Sequence, residues 1–347
     1  MKDGICCPEK SVEMATLKDI ARIANVNVST VSKALRNSSD LSEQTKLTIR
    51  TIADELNYPY STESGSIRSN LVGVIIPDLM SPYYTATLQS LQDHLLGFGY
   101  RILVMSSQFS EDEEYTCFKE LLRNRVCAIL CFSISMLIHS RFRQLIQKSN
   151  IPFLMVASDA DCDFCDNVYI DGWKSAVIAA NHLIDLGHTK IAYLGEPLSI
   201  PRRKAFITAL HAKQIEVPQE YIVENDKRFE ACGYEGMKTL LRLQNRPTGI
   251  FAAYDSVAIG AMRAIQEAGL RIPEDISIIG IDDSHVGNYL NVRLTSVTEP
   301  TRDLGELAAD LILQKIAKRR KIMQNIKLHP TLKIRESTAP PAKLDNA

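Results

Sequence analysis

From Leu71 onward, short runs of apolar residues alternate with longer stretches in which apolar residues recur at helical spacing. Almost wholly apolar runs predict strands that are buried on both faces, and helical stretches between them predict parallel connections. We therefore expect an α/β fold with two doubly wound parallel-sheet lobes. The predicted strands are Leu71–Ile76, Arg101–Met105, Val126–Phe132, Pro152–Val156, Lys190–Leu194, Gly249–Ala252 and Ser277–Ile281.

The predicted sheets also indicate where a binding site should lie. In open parallel sheets, ligands bind beyond the carboxyl ends of the strands. The loops that follow the predicted strands are therefore the first place in which to look for functional side chains.

Residues 14–60 differ from the rest of the chain, because they show helical spacing without strand-like runs. Thr16 and Asp19 have the spacing of a capping box at the start of a first helix. Asn25 suits the left-handed residue of a tight turn, and Asn27 and Ser42 are placed to cap a second and a third helix. This pattern predicts an all-α helix-turn-helix head.

The second predicted helix has one apolar and one polar face. Val31, Ala34 and Leu35 would point inward. The opposite face would offer a short set of side chains to the major groove of DNA, namely Val28, Ser29, Ser32 and Lys33.

The remaining segments are short and polar. Residues 1–13 form a polar leader, and Met14 is an alternative start. Residues 61–70 are rich in Ser and Gly and predict a linker. We expect the two lobes to occupy residues 71–338 and a tail to occupy residues 339–347.

Composition and charge narrow the class of protein. Apolar residues make up 45% and charged residues 23% of the 347 residues, which is typical of a folded globular chain. No apolar run reaches the ~18–20 residues that cross a bilayer, and no signal peptide is visible, so we expect a cytoplasmic protein. The net charge of −1 means that a DNA-binding hypothesis must rest on geometry.

The eight cysteines offer one alternative. Cys162 and Cys165 have the spacing of a metal or redox pair, but no second such pair and no His pair at zinc-finger spacing accompany them. The other interpretation is that of reduced, structural cysteines. We expect no metal and no cofactor.

The residues Thr16–Leu35, with the sequence TLKDIARIANVNVSTVSKAL, resemble the helix-turn-helix of the lactose-repressor (LacI) family. The resemblance continues to the end of the chain. The matching segments are Leu41–Thr45, Glu55–Pro59, Gly73–Asp78, Ser81–Tyr84, Leu186–His188, Asp255–Met262, Ile272–Ile276, Ile281–Asp283 and Ile334–Thr338.

This resemblance implies a transcription regulator, more often a repressor than an activator. In the family, a homodimer of two-lobed, periplasmic-binding-protein-like cores holds two heads on a near-palindromic double-stranded DNA operator. A small effector, most often a sugar or a sugar derivative, binds between the lobes and shifts an equilibrium that is coupled to DNA affinity.

The resemblance implies base contacts from Val28, Ser29 and Lys33, where Lys33 stands at a position at which Arg is common. Phosphate contacts are expected from the hydroxyl and amide side chains around them. A solvated helix face is the alternative for all of these residues. The expected DNA-binding set is Thr16, Asn27, Val28, Ser29, Thr30, Ser32, Lys33 and Asn37.

The resemblance also implies an effector pocket. Tyr83 and Tyr84 would line it, or else pack at the lobe interface, and Arg202 would contact the effector, or else form a surface ion pair. Asp255 fits a helix N-cap as well as a ligand contact. The expected effector-binding set is Tyr83, Tyr84, Arg202, Phe229, Asp255 and Asp282.

Departures from the family pattern concern both sites. The linker has Ile67 as its only apolar residue before Leu71, which argues against a wedge in the minor groove. Ala157 and Tyr254 stand where acidic or amide side chains are common in the family, and Ala205 stands where a Gly is common. These changes indicate a ligand unlike the simplest sugars, or a weaker dependence on ligand.

A solute-binding protein and an enzyme are the alternatives to a transcription regulator. A solute-binding protein would share the two-lobed core, but it should carry a signal peptide and no helix-turn-helix. An enzyme would be expected to show a catalytic or phosphate-binding motif, and the chain has no P-loop, GxSxG, HExxH or GxGxxG motif.

Overall fold

The computed structural model describes residues 16–35, 38–56, 58, 69–132, 140–156, 164–318 and 322–342. The chain divides into two units between Ser69 and Asn70. We call the first unit the head and the second unit the core. The polar leader and nearly all of the predicted linker lie outside the described residues, as do Asn37 and Ala157.

The head contains three helices in its described part, α1 (Leu17–Ile23), α2 (Val28–Leu35) and α3 (Glu43–Glu55). The backbone N–H and the hydroxyl of Thr16 both donate to the Asp19 carboxylate, at 2.9 and 2.7 Å. Asn25 takes a left-handed φ of 52°. The Ser42 hydroxyl accepts from the N–H of Thr45 at 3.2 Å. The Thr16 capping box, the Asn25 turn and the Ser42 cap that the sequence predicted are thus present, and the Asn27 cap stays a prediction.

A small apolar core holds the three helices together. Ile20, Val31, Ala34, Ile49 and Ala53 are each at most 1% exposed, and they come from all three helices. Partly buried side chains of the same helices and their connections pack around them. Burial of these apolar surfaces supplies the stability that such short helices lack in isolation.

The core alternates strands and helices along the chain. Its strands are β1 (Leu71–Ile76), β2 (Arg101–Ser106), β3 (Ala128–Phe132), β4 (Phe153–Val156), β5 (Asp166–Ile170), β6 (Ile191–Gly195), β7 (Ile222–Glu224), β8 (Gly249–Ala252), β9 (Ser277–Ile281), β10 (Thr295–Thr298), β11 (Asn325–Leu328) and β12 (Thr331–Lys333). Its helices are α4 (Pro82–Gly97), α5 (Glu111–Arg123), α6 (Ser140–Ser149), α7 (Gly172–Asp185), α8 (Ile200–Ala212), α9 (Phe229–Leu241), α10 (Asp255–Glu267) and α11 (Thr301–Ile316).

Within the described ranges, these strands form two six-stranded sheets. Lobe 1 has the strand order β11-β5-β4-β3-β1-β2, and lobe 2 has the order β12-β10-β9-β8-β6-β7. All neighbouring strands pair in parallel except β12, which is antiparallel to β10. Each sheet has an apolar cluster on both of its faces, so the predicted pair of doubly wound lobes is confirmed.

The chain passes between the lobes three times. It leaves lobe 1 after β5, returns after β10, and leaves again between β11 and β12. As a result α7 packs with α8 on lobe 2, and α11 packs with α4 on lobe 1. The predicted strands did not reveal these crossings, because β5, β7, β10, β11 and β12 are short or contain polar residues and show no continuous apolar run.

Two further expectations concern a metal or redox site at Cys162 and Cys165 and the absence of a membrane-spanning segment. Cys165 is buried, and Cys162 lies outside the described residues. No cluster of three or more metal-ligating side chains occurs in the part of the chain that the structure describes. Within the same part, no helix is both long enough and apolar enough to span a bilayer.

Helices α9 and α10 approach each other backbone to backbone. A Cβ atom built on Gly233 would lie 1.8 Å from the carbonyl oxygen of Val257, and one built on Gly260 would lie 1.9 Å from that of Glu230. Backbone atoms cannot move aside as the tip of a side chain can. Two glycines therefore set the distance between the two helices that flank the carboxyl ends of lobe 2.

We expect Gly233→Ala to destabilise the core by about 1–3 kcal/mol, because the added methyl group overpacks this contact. Urea unfolding followed by circular dichroism measures the change. Gly97→Ala is the matched control, since a Cβ atom there meets nothing within 4 Å. Equal stability of the two variants would refute the close-packing argument.

Candidate functional site

Helix α2 has the two faces that the sequence predicted. Val31, Ala34 and Leu35 are buried. The opposite face is open to solvent at Val28, Ser29 and Lys33 and partly open at Thr30 and Ser32, and Thr16 and Asn27 nearby are exposed as well. All seven described members of the predicted DNA-binding set therefore carry accessible side chains.

Among the described residues of the head, Lys33 forms an ion pair with Asp40. Its ammonium group lies 3.0 Å from the Asp40 carboxylate, and both side chains are more than half exposed. The hydrogen bond and the charge of Lys33 lower the pKa of the Asp40 carboxyl. Exposed pairs of this kind contribute little free energy. Lys33 can therefore exchange Asp40 for another acceptor at small cost.

A cavity of about 210 Å³ lies between the two lobes, at the carboxyl ends of their strands. Lobe 1 supplies Tyr83 and Tyr84 from the start of α4 and Phe109 from the loop after β2. Lobe 2 supplies side chains from the starts of its helices and from the loops after its strands. These are Trp173, Arg202, Phe229, Tyr254, Asp282 and Glu299.

Arg202 is held in this cavity by several partners. Its guanidinium donates to the carbonyl oxygen of Ala253 at 2.6 Å and to the Glu299 carboxylate at 3.0 Å. It also stacks on the Tyr254 ring, 4.7 Å from the centroid. Only 14% of the side chain is exposed. The alternative of a surface ion pair is therefore wrong for Arg202, which is held inside the protein.

Glu299 is the buried counter-ion of Arg202. It is 2% exposed, and it also accepts a hydrogen bond from the Ser175 hydroxyl at 2.8 Å. Two donors thus hold one of its oxygens, and the carboxylate in turn orients the guanidinium. A buried carboxylate of this kind is stable because it is both paired and hydrogen-bonded.

Asp282 faces the same cavity with one oxygen unused. Its backbone has a φ of 115°, and its N–H donates to the carbonyl of Val297 at 3.0 Å. Its Oδ1 atom accepts no hydrogen bond and lies 3.9 Å from Arg202 Nη1. Burial raises the pKa of this carboxyl, against the opposing effect of the Arg202 charge. Buried unpaired acceptors are costly, so Asp282 is suited to a ligand that donates a hydrogen bond.

Tyr83 and Tyr84 both line the cavity. Their rings meet edge to face at a centroid distance of 5.2 Å, and Tyr84 makes the same kind of contact with Phe132 of the lobe 1 core at 6.0 Å. Burial raises the pKa of both phenols. They present neutral hydroxyl groups and aromatic surface to the cavity.

Phe229 also lines the cavity, from the first position of α9. Its φ is 52°, and its N–H donates to the Glu196 carboxylate at 2.7 Å. Phe229 thus lines the cavity from a position where the backbone conformation is unusual, and its contact with an effector stays a prediction.

Asp255 is the member of the predicted effector set that does not line the cavity. Its carboxylate is buried and accepts from the Ser296 hydroxyl and the Ser284 N–H, both at 2.6 Å. Asp255 is the first residue of α10, and Tyr254 occupies the N-cap position. The predicted N-cap therefore lies one residue too late in the chain. Asp255 instead joins the start of α10 to strand β10 and to the loop after β9.

Several cavity residues were absent from the predicted set. Phe109, Trp173 and Glu299 follow β2, β5 and β10, and Arg228 follows β7. Only β2 among these strands was predicted. The rule that sites lie after strands would have indicated the other three had their strands been recognised.

Arg228 connects the two lobes at this cavity. Its Nη2 atom donates to Asp78 of lobe 1 at 3.2 Å, while its Nε atom lies 2.7 Å from Glu196 of lobe 2. Its guanidinium also lies 4.5 Å from the ring centroids of Phe109 of lobe 1 and Phe229 of lobe 2. We call this set the interlobe clasp.

We expect Arg228→Gln to loosen the interlobe clasp and to expose the cavity to solvent. Trp173 is the single tryptophan of the chain and lines the cavity, so its fluorescence reports on this site alone. Acrylamide quenching of Trp173 should become roughly twofold more efficient, since lobe closure excludes solvent.

Arg203→Gln is the matched control for the clasp. Arg203 pairs with Glu224 within lobe 2 and makes no bridge across the cavity. The quenching of this variant should equal that of the wild type. A similar change in both variants would show that loss of any arginine, and not of the clasp, opens the cavity.

A three-helix head with an exposed second helix, joined to a two-lobed α/β core with a cavity between its lobes, defines the class of helix-turn-helix regulators with a periplasmic-binding-protein-like core. Residues 16–60 match the family described as bacterial regulatory proteins, lacI family, and residues 180–338 match the periplasmic binding protein-like domain. The chain belongs to the lacI family of bacterial transcriptional regulators.

Relatives and solved structures agree with this assignment. The HTH-type transcriptional repressor PurR of Actinobacillus pleuropneumoniae serotype 3 is 31% identical over 93% of this chain and 98% of its own length. The structure of the lac repressor dimer bound to operator and an anti-inducer matches with a TM-score of 0.73 at 25% identity, over 94% of this chain and all of its own. A LacI family regulator from Enterococcus faecium with bound ribose has a TM-score of 0.68 at 28% identity, over 78% of this chain and 99% of its own.

Proposed function

We propose that this protein is a ligand-responsive repressor that binds a near-palindromic operator as a homodimer and a small sugar-like effector between its lobes. The observation that carries the proposal is the interlobe cavity, whose walls come from both lobes of a core that follows a helix-turn-helix head. A ligand that contacts both walls favours one arrangement of the lobes. It thereby shifts an equilibrium to which DNA affinity can be coupled.

The experiment that tests this function is an operator titration with the full chain. DNA fragments from upstream of its own gene and the neighbouring genes are tested by gel shift, with and without candidate effectors. Saturable binding to one near-palindromic site, altered by one small molecule, is expected. Equal, salt-sensitive binding to every fragment would contradict a specific operator.

In the proposed complex, α2 enters the major groove. Lys33 donates to a guanine edge and Ser29 to a base or phosphate, while Val28 contacts a thymine methyl group. The other polar side chains around α2 bind phosphates, which position the head without reading sequence. These are Thr16, Asn27, Thr30, Ser32 and Asn37.

We expect Lys33→Ala to weaken operator binding by about 1–3 kcal/mol, because one good base contact has that value. Fluorescence anisotropy with a labelled operator measures the affinity. Lys204→Ala removes the same charge from an exposed position on α8 and should bind normally. Unchanged affinity in Lys33→Ala would remove Lys33 from the reading surface.

Exposed apolar side chains support the proposed homodimer. Leu79 and Met80 follow β1 and are 59% and 76% exposed, and Val286 and Tyr289 follow β9 and are 56% and 75% exposed. Residues from the start of α4 line one groove together with Ser284 and His285. The loop after β1 and the loop after β9 are therefore neighbours. Adjacent exposed apolar groups are typical of association surfaces.

We expect Tyr289→Asp to weaken the dimer by about 2 kcal/mol or more, as for an aromatic anchor of an interface. Analytical ultracentrifugation should then detect a dissociation constant raised by roughly 30-fold or more. Ile334→Asp is the control, since Ile334 is 65% exposed and follows the edge strand β12. Dimers that withstand Tyr289→Asp as well as the control would place the interface elsewhere.

In the proposed effector site, the aromatic rings of Tyr83, Tyr84 and Phe229 pack against the ring of the ligand. Arg202 and Asp282 supply a donor and an acceptor. The bound ribose of the Enterococcus faecium relative supports a sugar-like ligand for this chain. Asp255 is left out of the site, because its carboxylate is already satisfied. A repressor of this kind acts on chromosomal DNA, so we also propose a cytoplasmic location.

A further inference from the structure

The strands of lobe 1 pair in parallel, so they all begin at the same end of their sheet. Backbone hydrogen bonds join the strand starts there. The N–H of Arg101 donates to the Asn70 carbonyl at 2.9 Å, and the N–H of Cys127 donates to the Leu71 carbonyl at 2.8 Å. Helices α4, α5, α6 and α11 lead into β2, β3, β4 and β11, so these helices end at the same place. We call this place the amino end of lobe 1.

The amino end of lobe 1 carries an excess of positive charge. From the last four residues of each helix to the first residue of the strand that follows, the described residues include six basic side chains and one acidic side chain, Glu120. The corresponding segments of lobe 2 include six basic and six acidic side chains. The basic residues of lobe 1 are Arg101, Arg123, Arg125, Lys148, Lys315 and Lys318.

Two of these six side chains have structural partners. The Lys315 ammonium group lies 2.9 Å from the carboxylate of Asp166, the buried first residue of β5. Arg123 pairs with Glu120 within α5. The other four side chains are exposed and form no ion pair with any residue that the structure describes. They are Arg101, Arg125, Lys148 and Lys318.

The stability of the helices does not explain this excess of positive charge. The helix dipole favours basic side chains in a last turn, but it acts equally on the helices of lobe 2, whose ends carry as many acidic as basic residues. Arg125 and Lys318 also have a left-handed φ of 53°, at positions where Gly or Asn is the usual residue after a helix. An anionic partner accounts for both observations.

The connectivity of the chain favours DNA as that partner. Asn70 precedes β1, so the chain enters the core from the head at the amino end of lobe 1. DNA that is bound by the head is thereby tethered to this end, which raises the local concentration of its phosphates. Duplex DNA carries about one negative charge per 1.7 Å of its axis.

We propose that the amino end of lobe 1 is a second DNA-binding surface, which contacts phosphates next to the segment that the heads read. The proposal rests on the proposed function, because the head has to bring the DNA. Arg101, Arg125, Lys148 and Lys318 supply the contacts. Phosphate contacts of this kind add salt-dependent affinity and carry no sequence information.

The double variant Arg125→Asn/Lys318→Asn tests the surface without straining the backbone, because Asn tolerates a left-handed conformation. Binding of the full chain to a random-sequence duplex of about 40 base pairs is measured by fluorescence anisotropy at several salt concentrations. The slope of log affinity against log salt should become shallower by about two, since each lost phosphate contact contributes about one.

The matched control is Lys213→Asn/Arg242→Asn. It removes the same charge from two exposed C-cap positions of lobe 2, at the ends of α8 and α9. Its slope should equal that of the wild type. Equal slopes for all three proteins, or an equal loss in both variants, would overturn the inference. An acidic protein would then be the better partner for this end of the core.

A second arm uses the operator that the gel-shift titration selects. A duplex trimmed to this operator is compared with one extended by about ten base pairs on each side. The extension should raise the affinity of the wild type and of the control roughly fivefold or more, and the double variant should lose this gain while binding the trimmed duplex normally. The same gain in all three proteins would contradict the inference. Failure to find any operator would refute the proposed repressor, and the random-sequence titration would still decide the role of lobe 1.

Discussion

The buried guanidinium of Arg202 is the interaction on which the effector cavity depends. A charge that is removed from water must be paired and hydrogen-bonded, or it destabilises the fold. Arg202 meets this requirement with the Ala253 carbonyl, the Glu299 carboxylate and the face of Tyr254. These partners follow different strands of lobe 2, so one side chain ties the carboxyl ends of the sheet together and leaves Asp282 open to the cavity.

A ligand can change the arrangement of the lobes only if both lobes contact it. Three chain crossings join the lobes covalently, and the interlobe clasp adds a noncovalent bridge through Arg228. The Arg228–Asp78 ion pair and the Arg228–Phe109 ring contact form only when the lobes approach each other, and contacts of both kinds are weak individually. A ligand that packs between Tyr83 and Phe229 would further stabilise the closed arrangement of the lobes. This is the physical basis of the proposed ligand response.

Particular residues show how far sequence reasoning reaches. Tyr83, Tyr84, Arg202, Phe229 and Asp282 were predicted and do line one cavity. Their motifs stand immediately after strands or at the starts of helices, where parallel sheets bring side chains together. Asp255 has an equally good motif, but Ser296 of strand β10 and Ser284 of the loop after β9 both donate to its carboxylate. No local pattern reports a hydrogen bond that spans 41 residues of chain.

The sequence by itself determined the helix-turn-helix head, the two-lobed parallel α/β class of the core and half of the aromatic and charged side chains of the cavity. The head and the lobes follow from local rules, namely apolar periodicity and caps, whereas the cavity side chains follow from the resemblance to the LacI family. Only the tertiary structure decided the three crossings between the lobes, the pairing of Arg202 with Glu299, and the clasp of Arg228 on Asp78 and Phe109. These contacts join segments far apart in the chain, and their energies depend on burial, which exists only once the lobes have packed.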